Sequence, residues 1–213
     1  MNKFCAFWQQ FHRQLSKLDF IPLLSVRLYL APIFIIAGWN KYVNFDDMVA
    51  WFGNSEWGLG LPMPSLMVSL VIIAELIGGV ALLLGAFTRS FSFMLSITML
   101  VAIFKVHLKN GWHAITPTNP DTSIAALFSF LPSGQASLDN SLAAGERLMK
   151  AKEILQTYGN YDWLTETGNF TILNNGIEFG TTYLIMLLVL IFFGAGRFMS
   201  VDYLLQYTAN KHK

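Results

Sequence analysis

An all-α bundle of four transmembrane helices, with a partly helical extramembrane insertion between spans three and four, is the fold that the sequence predicts. Three observations carry it. Of 213 residues, 54% are hydrophobic and only 13% charged, with 18 Phe, where a soluble domain is about a quarter charged. The mean hydropathy is +0.48. Four segments approach the roughly 20 apolar residues that cross a bilayer. The stretch between the last two, about 70 residues, is too long to be a mere connector.

The elements follow in order. Residues 1–20 form an N-terminal arm. Arg13, Lys17 and Asp19 interrupt it, and it lacks the apolar core of about 7–15 residues that a cleavable signal peptide needs. Residues 21–108 hold spans one to three. Span one runs from Ile21 to Trp39, with Pro22 in the first turn, where no N–H partner is required. Span two runs from Pro64 to Leu84 and span three from Ser90 to Leu108. Residues 109–177 form the insertion. Within it, 141–157 (SLAAGERLMKAKEILQT) reads as a helix with an apolar stripe of Leu142, Leu148, Ile154 and Leu155. Glu146 and Lys150 form an i, i+4 pair there. FSFLP at 128–132 and YDWL at 161–164 are apolar-aromatic patches suited to the headgroup level or to roofing the bundle. Residues 178–205 hold span four, from Glu178 to Ala195, and a closing motif; 206–213 are a tail. Gly85, Gly194 and Gly196 are stop signals.

Short charged segments set the orientation. Lys3, Arg13 and Lys17 precede span one, Arg89 lies between spans two and three, and Arg197, Lys211 and Lys213 follow span four. The loop after span one holds Asp46, Asp47 and Glu56 against Lys41. The positive-inside rule then places both termini in the cytoplasm. The expected location is a bacterial inner membrane, crossed several times. A net charge of +1 leaves no footprint for nucleic acid. The single cysteine, Cys5, forms no internal disulfide, and no CxxC is present.

Every span keeps an ionisable residue inside it or at its edge: Arg27, Glu75, Lys105 with His107, and Glu178. A charge in hydrocarbon is costly unless it is paired or faces water. These residues either brace the bundle or line a polar site. Glu75 sits about 15 Å from either end of span two, and Arg27 about 10 Å into span one. An Arg27–Glu75 pair is within reach if the two spans are neighbours. Such a pair fixes helix register or serves a substrate; both readings stand. Gly78 and Gly79 share the face of Glu75 and admit a helix or a flat ligand, with helix packing the commoner use. Lys105 and His107 point about 200° apart, so Lys105 snorkels outward while His107 faces inward. His107 beside Glu178 forms a proton relay to a quinone oxygen, or simply hydrogen-bonds the insertion. His107 and His113 with Met63 and Met67 give a weak copper pattern, without a Met-x-x-Met or a His cluster.

Taken together these positions resemble the DoxX family of small four-helix membrane proteins. The matching residues are Arg27, GWNK from Gly38 to Lys41, ELIGG from Glu75 to Gly79, and LLLGAFTR from Leu82 to Arg89. His107 ends span three, NNGIEF at 174–179 opens span four, and GAGRFMSVD at 194–202 closes it. The last looks like a G-x-G-R-x-S-x-D ending with Met199 as an extra residue or local variant; read locally, Ser200 caps a short helix there and Asp202 suits its first turn. The chain departs from typical members in the length of 109–177. The resemblance implies redox work at the membrane.

The function expected is therefore a membrane subunit of a quinone-linked oxidoreductase system. Glu75, His107 and Glu178 would be the catalytic proton carriers, and Arg27 and Lys41 would bind substrate oxygen. Quinone is the implied cofactor; no metal, flavin or haem is indicated. Partners would be membrane lipid, a soluble or membrane redox protein, and further copies of the chain. The alternative is a non-catalytic scaffold or small-solute carrier serving a copper- or sulfur-related partner.

Overall fold

In the computed structural model, residues 3–117, 130 and 132–211 are described. Among them the chain is helical, apart from loops and one antiparallel bridge between Ile115 and Leu173. The helices are α1 (Lys3–Leu15), α2 (Phe20–Val43), α3 (Phe45–Gly53), α4 (Pro64–Leu84) and α5 (Thr88–Val101). A π-helical stretch (Ala102–His107) and a 3-10 turn (Leu108–Asn110) continue α5. Then come α6 (Pro132–Tyr158), α7 (Tyr161–Leu164), α8 (Glu178–Phe193) and α9 (Val201–Lys211). Among the described residues, three helical stretches are long and apolar enough to cross a membrane: Phe7–Val43, Pro64–Leu84 and Thr88–Asn110. The apolar helix Glu178–Phe193 is shorter, at 16 residues.

The chain divides into two compact units, Met1–Met99 with Tyr183–Lys213, and Leu100–Thr182. In the first unit α2 packs along α4. Leu30, Phe34, Leu82, Leu95, Leu187 and Leu190 form its core, drawn from α2, α4, α5 and α8. The two glycines of ELIGG let helices close up. A Cβ on Gly79 would stand 2.7 Å from Ile35 Cγ1, and one on Gly78 3.2 Å from Leu95. Both positions therefore serve helix contact.

The loop after span one is more structured than its charges suggested. Asp46 and Asp47 lie in the first turn of α3, where acids favour the helix dipole. Phe52 packs there with Val68 and Ile72 of α4.

In the second unit the backbone of 114–116 pairs with 172–175: Thr116 N–H donates to Ile172 O, and Asn174 N–H to Ala114 O. Helix α6 begins nine residues before the predicted Ser141. Its buried face is Ser137, Ser141, Ala144 and Leu148, at helical spacing. The predicted stripe is corrected: Leu142 and Ile154 are exposed. Small side chains, invisible to a hydropathy count, make the packed seam. The predicted Glu146–Lys150 pair is also corrected, because Lys150 bonds Glu153 at 2.9 Å. YDWL forms the short helix α7, capped by Asn160. The FSFLP patch, apart from Phe130 and Pro132, lies outside the described residues.

Candidate functional site

Two buried charges define the first unit, and they are held in different ways. Span one ends later than predicted. The reading stopped at Trp39 because Asn40 and Lys41 are polar, but α2 continues to Val43. Lys41 is thereby carried on the helix, and its ammonium reaches Glu75. Lys41 Nζ donates to Glu75 Oε2 at 2.7 Å and to Oε1 at 3.0 Å. Gly38 makes the approach possible, since a Cβ there would lie 3.0 Å from Glu75 Cβ. The Glu75 side chain is 4% exposed and that of Lys41 is 25% exposed. The carboxylate is thus hidden while its partner remains reachable.

Arg27 is not that partner, and the expected Arg27–Glu75 pair is replaced. Its neighbours lie at the C-terminal end of α4, about two turns beyond Glu75. Arg27 is fully buried. Its Nε donates to Leu82 O (2.8 Å), Nη1 to Ala195 O (3.0 Å), and Nη2 to Leu83 O (3.0 Å) and Met199 O (3.1 Å). Leu82 and Leu83 belong to the last turn of α4, where carbonyls lack helical partners and the dipole is negative. A guanidinium satisfies several of them at once.

The glycine-rich segments build the rest of this knot. Gly85 ends α4 with φ +64°, and a Cβ there would stand 2.5 Å from Arg27 Nη2 and 2.6 Å from Ser200 Cβ. Phe198 and Met199 are both left-handed, at φ +61° and +44°, a costly conformation for such side chains. This turn aims the Met199 carbonyl at Arg27. Ser200 Oγ accepts from Tyr203 N–H at 3.2 Å, capping α9 as expected. Asp202 does more than the first-turn role read from sequence. Its carboxylate accepts from Phe87 N–H (2.7 Å) and Thr88 N–H (2.9 Å), so it caps α5. Its own N–H donates to Gly85 O at 2.9 Å. Arg197 pairs with Asp19 at 2.7 Å.

His107 and Glu178 belong to the second unit, where they take separate partners. His107 Nδ1–H donates to the Asn175 carbonyl at 2.8 Å, since a carbonyl oxygen only accepts. Glu178 Oε2 accepts from Ala114 N–H at 3.0 Å. Sequence reasoning missed the asparagines between them. Asn140 Nδ2 donates to Asn110 O (2.6 Å) and to Asn174 Oδ1 (2.9 Å), and Asn174 Nδ2 donates to His113 O (2.9 Å). Asn in the NNG turn was their only signal. Lys105 is exposed and His107 half-buried, as their spacing indicated. Among the described residues no group of three or more His, Cys, Asp or Glu could hold a metal ion.

Chemically, the two buried charges offer different things. Arg27 spends four of its five N–H donors on backbone carbonyls. Lys41 has three donor hydrogens, directs two at one carboxylate, and has one left for an arriving oxygen. Comparison with known proteins now places the chain. The DoxX family profile matches residues 22–108, which span Arg27, Lys41, Glu75 and His107. An uncharacterized protein of Haemophilus influenzae is 32% identical over 125 residues, 55% of this chain and 88% of that protein. The chain belongs to the DoxX family. Two further relatives resemble this DoxX protein over shorter stretches. Inner membrane protein YqjF of Escherichia coli is 29% identical over 93 residues, 44% of this chain and 67% of its own length. Putative oxidoreductase CatD of Bacillus subtilis is 30% identical over 89 residues, 42% and 62% respectively. No solved structure matches this DoxX chain.

Proposed function

We propose that the chain is a four-span inner-membrane subunit of a quinone-linked oxidoreductase system, with both termini cytoplasmic. The fourth crossing is α8, about 24 Å long at 1.5 Å per residue, close to the roughly 30 Å of hydrocarbon. An even number of crossings keeps the basic N-terminal arm, Arg89 and Arg197 on one side, as the positive-inside rule requires. The names of two Escherichia coli relatives, both inner membrane proteins, support the location. The name of the Bacillus subtilis relative supports redox work.

The Lys41–Glu75 pair carries the functional reading. A carboxylate 4% exposed in an apolar helix, 2.7 Å from an ammonium that is a quarter exposed, suits a ligand with a carbonyl oxygen. That donor set fits a quinone, which when bound supplies two-electron chemistry. Lys41 would donate a hydrogen bond to the ring oxygen, and Glu75 would hold and pass a proton. His107 and Glu178 would carry protons within the second unit. Electrons would come from a partner protein or a small donor. Purified protein should retain quinone, and Glu75→Gln should abolish quinone turnover while the fold persists. Unchanged turnover in that variant rejects the reading.

A second reading, a non-catalytic scaffold or solute carrier, draws support from Arg27, whose bonds all go to backbone carbonyls. Under it, Lys41→Met with Glu75→Met is tolerated better than either substitution alone. Loss of function in a folded double variant would end that reading.

A further inference from the structure

The most one-sided helix of the chain is α1, and none of the functional argument uses it. At about 100° per residue, Phe7, Trp8, Phe11, Leu15 and Leu18 share one face, while Gln9, Gln10, Arg13 and Lys17 share the other. The apolar five are between 45% and 66% exposed. Phe11 lies near both Phe7 and Trp8, with ring centroids 6.5 and 6.0 Å away. The stripe continues past the turn to Ile21, which is also exposed.

We propose that α1 is an interfacial helix that docks on an anionic phospholipid surface. Composition argues for lipid as the occupant. The face is aromatic and aliphatic, the opposite face carries Arg, Lys and Gln, and low overall hydrophobicity accompanies strong asymmetry. Lys3, Arg13 and Lys17 stand before the first acid of the chain, Asp19. That charge complements anionic headgroups.

Continuity argues the same way. Helix α1 leads directly into α2, a membrane-length helix. Run straight, residues 3–43 would measure about 60 Å, twice the hydrocarbon thickness of about 30 Å. The excess must lie at the surface or beyond it. The junction is built for a bend: a 3-10 turn at Ser16–Leu18 interrupts the helix. Pro22 has no N–H to offer the Leu18 carbonyl. Arg197 fastens this turn, donating to Ser16 O at 2.8 Å and Asp19 Oδ1 at 2.7 Å.

The test uses the full chain in lipid nanodiscs. In a Cys5→Ser background, nitroxide labels are placed singly at Phe11→Cys and at Gln10→Cys. Relaxation by oxygen, which partitions into lipid, is compared with relaxation by a water-soluble nickel chelate. Discs contain phosphatidylcholine alone or mixed with phosphatidylglycerol. The expected oxygen-to-nickel ratio is several-fold higher at position 11 than at position 10 in the mixed discs. Arg13→Gln with Lys17→Gln should lower the position 11 ratio in mixed discs and leave it unchanged in phosphatidylcholine. Equal ratios at the two positions overturn the proposal. So does a position 11 label shielded from both reagents with spin–spin broadening, which assigns the face to a second copy. A ratio indifferent to phosphatidylglycerol and to the charge substitutions overturns the anionic specificity. Both label positions are exposed, so disc assembly does not depend on them.

Discussion

Arg27 and Glu75 are both buried charges in apolar helices of one unit, yet they solve the burial problem in opposite ways. Arg27 is surrounded by carbonyls from two separate stretches of chain, which take four of its five N–H donors. Glu75 depends on one flexible ammonium that is itself partly exposed. A buried charge bonded by backbone acts as a rivet, whereas one bonded by a single mobile side chain can exchange its partner. The difference separates a charge that holds the bundle from the pair we propose for chemistry.

The contrast can be broken first at the rivet. Arg27→Met should remove at least about 3 kcal/mol of stability, since four carbonyls, two of them in buried bonds, lose charged donors. Its unfolding midpoint in detergent should fall far more than that of Glu75→Gln; equal losses would erase the distinction. Gly85→Ala comes next. The new Cβ meets Arg27 Nη2 in a left-handed backbone, and a cost of about 1–3 kcal/mol is expected. A near-wild-type thermal melt would show that Arg27 can yield. For the exchangeable pair, a double-mutant cycle with Lys41→Met and Glu75→Gln should give a coupling of about 0.5–3 kcal/mol. A null coupling would mean that the two side chains do not meet. Asp202→Ala should cost about 1 kcal/mol through loss of the α5 cap, measured by the same melt. Lys150→Ala, at an exposed pair, should shift stability by no more than about 0.5 kcal/mol.

Much of this was legible beforehand because it depends on local chemistry. Pro64 and Gly85 bracket α4 as predicted, and Ser200 caps α9. What escaped depends on length and on small or polar groups acting at a distance. Ending span one at Trp39 hid Lys41 from Glu75 and left Arg27 as the apparent partner. Asp202 reads as a first-turn acid, and nothing local tells that it also reaches Phe87 and Thr88. The Ser137–Ser141–Ala144 seam escaped because hydropathy ignores small residues that pack well. His107 was placed at the end of a regular helix, but a π-helical stretch carries it, and an extra residue per turn leaves no mark in hydropathy.

The partners of Arg27 also impose an order on biogenesis. The ribosome delivers residue 27 well over a hundred residues before Ala195 and Met199, which accept two of its four hydrogen bonds. Until those residues arrive, this guanidinium must rest in the translocon or bilayer with half its acceptors unmade. Arrival of residues 195–199 is therefore what closes the bundle, and a nascent chain halted before residue 195 would expose an unquenched cation to membrane quality-control proteases.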